Sequence, residues 1–220
     1  PYLVRIGGNG KPGEKFLPNT VFVSRDHAIR HGSTHYIYSG INLNDFIYRE
    51  KKEDYFIFLA KVSWKVKNVD LAIRLAKVMG FKLIVAGGWR LSFRRNIKFI
   101  GEVDDKKKAE LLAGAKALIF PTNWQEPIGN VALEALASGT PVITTNKGAM
   151  PEVVTSDVGF RCNTFGEFRE AIKRIDEISP KKCRERVENN FTAEIMAEKY
   201  INAYEKIIQA GSLQGLGERN

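Results

Sequence analysis

No apolar run in the sequence approaches the roughly 18 residues that would suggest a membrane span. The start at Pro1 lacks the basic-then-apolar order of a signal peptide. Cysteine is scarce. Cys162 and Cys183 lie in separate segments and form no metal spacing, so a reducing cytoplasm is the simplest setting. No G-x-G-x-x-G follows a strand, which argues against hydride transfer. The glycine-rich residues 7–15 (GGNGKPGEK) invite a phosphate-loop reading, but Glu14 stands where the lysine is needed after Gly8 and Gly13. Nucleic-acid recognition signatures and interleaved aromatic–basic patterns are missing too, and no repeat or coiled coil is visible. His27, His31 and His35 include a pair one helical turn apart, yet a zinc site needs a further suitable ligand and a supporting shell. A packed or solvated helix face fits them better, and no metal is expected.

What is present describes an ordinary globular chain. Its 220 residues, 44% hydrophobic and 27% charged, allow one large domain or one domain plus a fragment of another. The net charge of +9 favours anionic partners such as phosphorylated small molecules, and runs such as residues 106–108 and 181–182 read as solvated surface.

From residue 55 the pattern alternates. Residues 55–60 (YFIFLA), 82–86 (KLIVA), 97–100 (IKFI), 116–120 (KALIF), 142–145 (VITT) and 157–161 (DVGFR) read as strands. Between them lie a helix opened by Asn68 or Asp70 and closed by Gly80, one capped by Asp104 and ended at Gly114, and one stopped by Gly139 and Pro141. Apolar strands alternating with helices predict an α/β fold, a Rossmann-like parallel sheet covered on both faces. Such sheets bind ligands beyond the carboxyl ends of their strands, which gathers the loops at 60–68, 86–92, 101–104, 121–129 and 145–151 around one cleft. After residue 165 the chain reads as helical, with residues 195, 200, 201, 204 and 208 of the last helix as its core face. Residues 211–220 read as a frayed tail. The first fifty residues, with one strand at 21–23 and a helix from Ser24, are too few for a second domain.

One acid stands out. Glu134 lies within the apolar run 131–137 (VALEALA), where a lone carboxylate is costly unless something pairs with it. A helix beginning near Gly129 or Asn130 points unpaired amides and its positive end into the cleft, a natural seat for phosphate. Gly129 lets the backbone approach the anion. Glu134, one turn on, leans back toward that end and can accept from a vicinal diol such as a ribose. Glu126, in the preceding loop, can accept from hydroxyls on the other side of the phosphate. A nucleoside diphosphate sugar carries hydroxyls in both places. A salt-bridged core carboxylate is the competing reading of Glu134.

Residues 126–130 (EPIGN), with seven residues between the glutamates, and 134–142 (EALASGTPV) resemble the E-x7-E element of family 4 glycosyltransferases. So do the flanks at 101–103 (GEV), 111–115 (LLAGA), 120–124 (FPTNW) and 148–154 (GAMPEVV), and the linker-like Val23-Ser24 and Gly40-Ile41-Asn42. The resemblance runs from about residue 20 to the final helix. It implies the GT-B architecture, two Rossmann-like domains facing across a cleft, with this chain as the C-terminal, donor-binding half. Residues 1–50 would then be a linker and remnant of the N-terminal domain, 51–210 the nucleotide-sugar-binding domain, and 211–220 a tail.

By the same resemblance, transfer is retaining and metal-independent, and a nucleoside diphosphate sugar is the donor substrate rather than a cofactor. Glu134 would hold the ribose and Glu126 the donor sugar. The amides of Ile128, Gly129, Asn130 and Val131 would hold the diphosphate, with the base near Gly87, Gly88, Glu102 and Val103. Lys61 stands at the usual arginine position, replacing a bidentate fork with a point charge. Lys67 fits the second cationic position better than Lys65. A sugar or lipid-linked acceptor, with peripheral membrane contact, would bind through the N-terminal domain, and the isolated chain is expected to transfer little. A non-catalytic nucleotide-sugar-binding subunit and an epimerase-like protein are the alternatives.

Overall fold

The computed structural model describes residues 1–11 and 13–213. The apolar runs form six parallel strands: β3 (Phe56–Leu59), β4 (Leu83–Ala86), β5 (Ile97–Gly101), β6 (Ala117–Phe120), β7 (Val142–Thr144) and β8 (Gly159–Arg161), numbered after two N-terminal strands described below. Their order across the sheet is β5-β4-β3-β6-β7-β8. The chain therefore leaves β3 toward one edge and returns to its other side at β6, with Ile57 level with both Ile84 and Leu118. Loops from the carboxyl ends of β3 and β6 diverge at that reversal and leave a crevice there.

Helices cover both faces, as a buried parallel sheet requires. On one side α3 (Asp105–Gly114), α4 (Asn130–Ala137) and α7 (Pro180–Glu188) pack around Leu112, Leu133, Leu136, Val187 and Phe191. On the other, α2 (Val69–Met79) and α6 (Phe165–Lys173) enclose Phe58, Leu75, Val85, Ile119 and Phe168. Local signals set the boundaries. Asp104 accepts from the Lys107 amide at 2.7 Å and opens α3, and Gly80, at φ 80°, closes α2. Gly114 is the last residue of α3 rather than its cap; a Cβ there would lie 2.6 Å from the Tyr55 hydroxyl.

A smaller layer carries β1 (Val4–Ile6) and β2 (Thr20–Phe22), paired in parallel, and α1 (Arg25–Arg30), capped by Ser24. β1 was not legible, being three residues long and paired only to β2. It corrects one expectation: Gly8, Gly10 and Gly13 have the G-x-G-x-x-G spacing and do follow a strand, although the next element is β2 rather than the helix a dinucleotide site needs. His27 and His31 pack with Phe16 and Phe22, ring centroids 5.0–5.1 Å apart. The short helix α5 (Met150–Val153) supplies Glu152, whose carboxylate accepts from the amides of Arg25 and Asp26 and from the Tyr38 hydroxyl. Gly40 and Ile41 clasp the start of α8 (Ala193–Ala210): Ile41 exchanges backbone bonds with Phe191 and Ala193 at 2.9 and 3.0 Å.

The face of α8 differs from expectation. Ala203 and Ile207 are buried and pack with Val21 and Ile37, flanked by Met196 and Tyr200, whereas Ile201, Tyr204 and Ile208 are exposed. The helix buries its stripe against the small layer, not the six-stranded sheet.

Candidate functional site

The crevice at the β3–β6 reversal is built by three interlocking loops. After β3 the chain makes a single 3-10 turn, Lys65–Lys67, ended by Asn68 in the left-handed region at φ 57°. After β6, Asn123 donates its amide to the Val66 carbonyl at 2.7 Å, locking the second loop to the first. After β7, Thr145 donates to the Thr122 carbonyl at 2.7 Å, and the Ala149 amide to the Glu126 carbonyl at 2.9 Å. Gly148, at φ 59°, presses so closely that a Cβ would lie 2.4 Å from the Glu126 amide nitrogen. Glu126 is held from both sides.

Its side chain is buried, 5% exposed, yet charge-matched. Lys67 Nζ lies 2.5 Å from Oε1, and Thr122 Oγ1 donates to the same oxygen at 3.0 Å. Lys67 also sits over the Phe120 ring, 5.3 Å from its centroid. Oε2 of Glu126 has no partner among the described residues.

Three residues on, the chain turns into α4. Gly129 is its N-cap at φ 76°, with no side-chain cap. The Ala132 amide turns back to the Gly129 carbonyl at 2.8 Å, and those of Asn130 and Val131 have no acceptor among the described residues. The demand for glycine at 129 has a packing cause beside any anion: a Cβ would meet Met150 Cε at 2.3 Å. Ile128 is buried under the tip, while Asn130 is exposed.

Glu134 finds its partner across the helices. Lys108, on the first turn of α3, donates to Oε1 at 3.2 Å and also lies 3.1 Å from Asp105. Burial pushes the Glu134 carboxyl up, and the ammonium of Lys108 opposes that rise. Oε2 again has no partner among the described residues. The pair lies beside a cavity of about 530 Å³ whose far wall is Ile41, Asn42, Asp45 and Phe46 of the linker. Each glutamate thus enters the site with a lysine already neutralising it, so the positive end of α4 sets the sign of the field between them.

The remaining candidate residues divide. Gly87 and Gly88 sit where β4 ends, and the Gly87 amide donates to the Gly101 carbonyl at 2.7 Å, bringing them beside Glu102 and Val103. Glu102 is exposed, and Val103 packs on the core beneath α4. Trp89 lies over Gly101, where a Cβ would be 2.5 Å from its Nε1. Lys61 is exposed, 5.5 Å from the Trp64 centroid, with no acidic partner among the described residues.

Sequence reasoning missed Thr122, Trp89 and above all Lys108, which was read as part of a solvated lysine run. Helical spacing marks it: Lys108 shares a face with the buried Leu111, Leu112 and Ala115, unlike Lys106 and Lys107.

Residues 41–193 match the family described as glycosyl transferases group 1. The O-antigen chain mannosyltransferase RfbU of Salmonella typhimurium is 30% identical over 158 residues, covering 64% of this chain and 44% of that protein. The chain spans less than half the length of the curated relatives it matches first. Among solved structures, AviGT4, a glycosyltransferase involved in avilamycin A biosynthesis, superposes with a TM-score of 0.79 at 22% identity, covering 94% of this chain and 68% of that one. Anabaena Alr3699/HepE in complex with UDP and glucose gives 0.74 at 15% identity, covering 92% and 71%.

Proposed function

The chain belongs to the glycosyl transferases group 1 family, and from that premise we propose that it is the donor-binding part of a retaining glycosyltransferase using a nucleoside diphosphate sugar. One observation carries the reading. The amide-rich tip of α4 stands between two glutamates, each paired to a lysine through one oxygen and left with a second oxygen uncommitted. An uncommitted carboxylate oxygen accepts from hydroxyls, and a helix tip accepts a phosphate.

In this reading the diphosphate lies on the amides of residues 128–131. Glu134 accepts from the ribose hydroxyls, and Glu126 from those of the sugar. The base lies toward Gly87, Gly88, Glu102 and Val103. As the bond from the sugar's anomeric carbon to phosphate breaks, negative charge grows on the departing oxygen, and amides fixed beforehand stabilise it without reorganising. Lys67 prevents the Glu126 carboxylate from repelling the diphosphate, and Lys61 is free to swing toward it. Residues 51–210 supply the donor half and residues 1–50 the link to an acceptor half, where a sugar or lipid-linked hydroxyl attacks.

A thermal-shift panel of UDP-, GDP- and ADP-sugars tests this. A donor at a hundred times its Kd stabilises the native state by about 2.7 kcal/mol, a shift of several degrees. Absence of a shift with every nucleotide sugar would rule the reading out.

A further inference from the structure

From Leu71 to Gly101 the sequence contains no aspartate or glutamate, but seven cations: Arg74, Lys77, Lys82, Arg90, Arg94, Arg95 and Lys98. Most of the chain's net charge of +9 is therefore carried by one stretch. The topology keeps it together, because the stretch comprises α2, β4 and β5, and β5 is the edge strand of the six-stranded sheet. Some of these cations have partners: Lys82 meets Asp54 at 3.5 Å, Arg90 meets Asp70, and Arg74 lies over Phe165. Lys77, Arg94, Arg95 and Lys98 have no acidic partner among the described residues.

The loop joining β4 to β5 adds a second, independent feature. Trp89, Leu91 and Phe93 are 73%, 84% and 90% exposed, alternating with Arg90 and running into Arg94 and Arg95. Single exposed hydrophobes need no explanation, but three in five residues, beside unpaired arginines, do. The root of the loop is fixed. Arg90 ties to Asp70 of α2 and to the Val62 carbonyl, Gly88 packs on Val62, and the Trp89 indole lies on Gly101. Leu91, Phe93, Arg94 and Arg95 stand outward from that root.

We propose that the 89–95 loop docks this edge of the molecule onto an anionic lipid bilayer. The headgroup boundary satisfies both halves of the pattern at once: apolar side chains enter it, while arginines meet lipid phosphates beside them. A nucleic-acid surface would satisfy the arginines but offer Leu91 nothing. The opposite charge of an anionic leaflet matches an edge that has no acid of its own between residues 71 and 101.

Vesicle sedimentation of the full chain tests the proposal without any sugar donor, so its outcome is separate from that of the nucleotide panel. Phosphatidylcholine–phosphatidylglycerol vesicles should pellet the protein, pure phosphatidylcholine far less, and high salt should release it. Leu91→Ser/Phe93→Ser and Arg94→Ser/Arg95→Ser leave the donor-site candidates untouched. Each should retain the wild-type melting temperature and weaken vesicle binding by roughly tenfold or more. No pelleting with anionic vesicles would overturn the proposal. So would wild-type binding by Leu91→Ser/Phe93→Ser, which would mean attraction of charge alone, as would a short duplex oligonucleotide bound equally well by the wild type and that variant.

Discussion

At the scale of single residues, two buried carboxylates, Glu126 and Glu134, each meet a lysine. Glu134 is the clearer case, because burial raises its proton affinity and Lys108 resists. An acid whose native pKa lies above its unfolded one binds more protons when folded. Stability is then lost as pH rises through that range, so ionised Glu134 weighs against folding at neutral pH. Glu134→Gln should therefore melt at or above the wild-type temperature near neutrality, a gain that fades in acid, while binding nucleotide more weakly. Lys108→Met removes the opposing ammonium and raises the carboxyl further. Nucleotide affinity measured against pH should then begin to fall at a higher pH than in the wild type, and Lys108→Arg should restore the profile. An unchanged profile in Lys108→Met would leave Lys108 as packing only.

At the scale of elements, what could be read in advance was whatever depends on neighbours in the chain. The strand runs, the Asp104 cap, the Gly80 and Gly139 stops and the helix start at 129–130 all follow from local pattern. What was not legible depends on residues distant in sequence. Lys108 meets Glu134 across two helices, and the loop that carries both Thr122 and Glu126 is pinned by Thr145, 23 residues on. The α8 stripe was misjudged because 3.6-residue spacing defines a face without saying which way it turns. Lys52 is another such long-range device. Its ammonium donates to the carbonyls of Ala113 and Ser138 and to Thr140 Oγ1 at 2.9–3.0 Å, collecting the carboxyl ends of α3 and α4. Lys52→Met leaves those acceptors behind and should cost about 2 kcal/mol, lowering the melting temperature by roughly 5 °C. Equal melting would show that water replaces it without loss.

At the scale of the whole molecule, the small layer carries an acid-sensitive group. His27 is fully buried; among the described residues neither ring nitrogen makes a well-formed hydrogen bond, and the Gly8 backbone lies near enough only to favour its charged form. Burial first, then Arg30 and His31, push its pKa down to about 4, with the Gly8 backbone and then Asp26 pulling the other way. The unfolded chain takes up this proton as pH falls below about 6.5, and the native state does so only near 4. Stability is therefore present above that window and lost on acidification through it, by about 2 kcal/mol at about pH 5. His27→Phe, which keeps a ring among Phe16, Phe22 and His31, should melt at more nearly equal temperatures at about pH 5 and about pH 7.5 than the wild type does. A wild-type-sized acid drop in this variant would assign the sensitivity elsewhere.

The proposed donor cleft draws on distant parts of the chain, since loops from β3, β6 and β7, a helix tip and the linker line it. Calorimetric titration of UDP and of UDP-glucose, or of the pair the panel selects, into wild type, Glu126→Ala and Glu134→Ala tests that union directly. Glu134→Ala should weaken both ligands together by about 10- to 100-fold, the loss expected when hydroxyls lose a charged acceptor. Glu126→Ala should leave the bare nucleotide near wild-type affinity and remove the extra affinity brought by the sugar. Wild-type binding of both ligands by Glu134→Ala, or equal losses of both ligands in the two variants, would contradict the assignment.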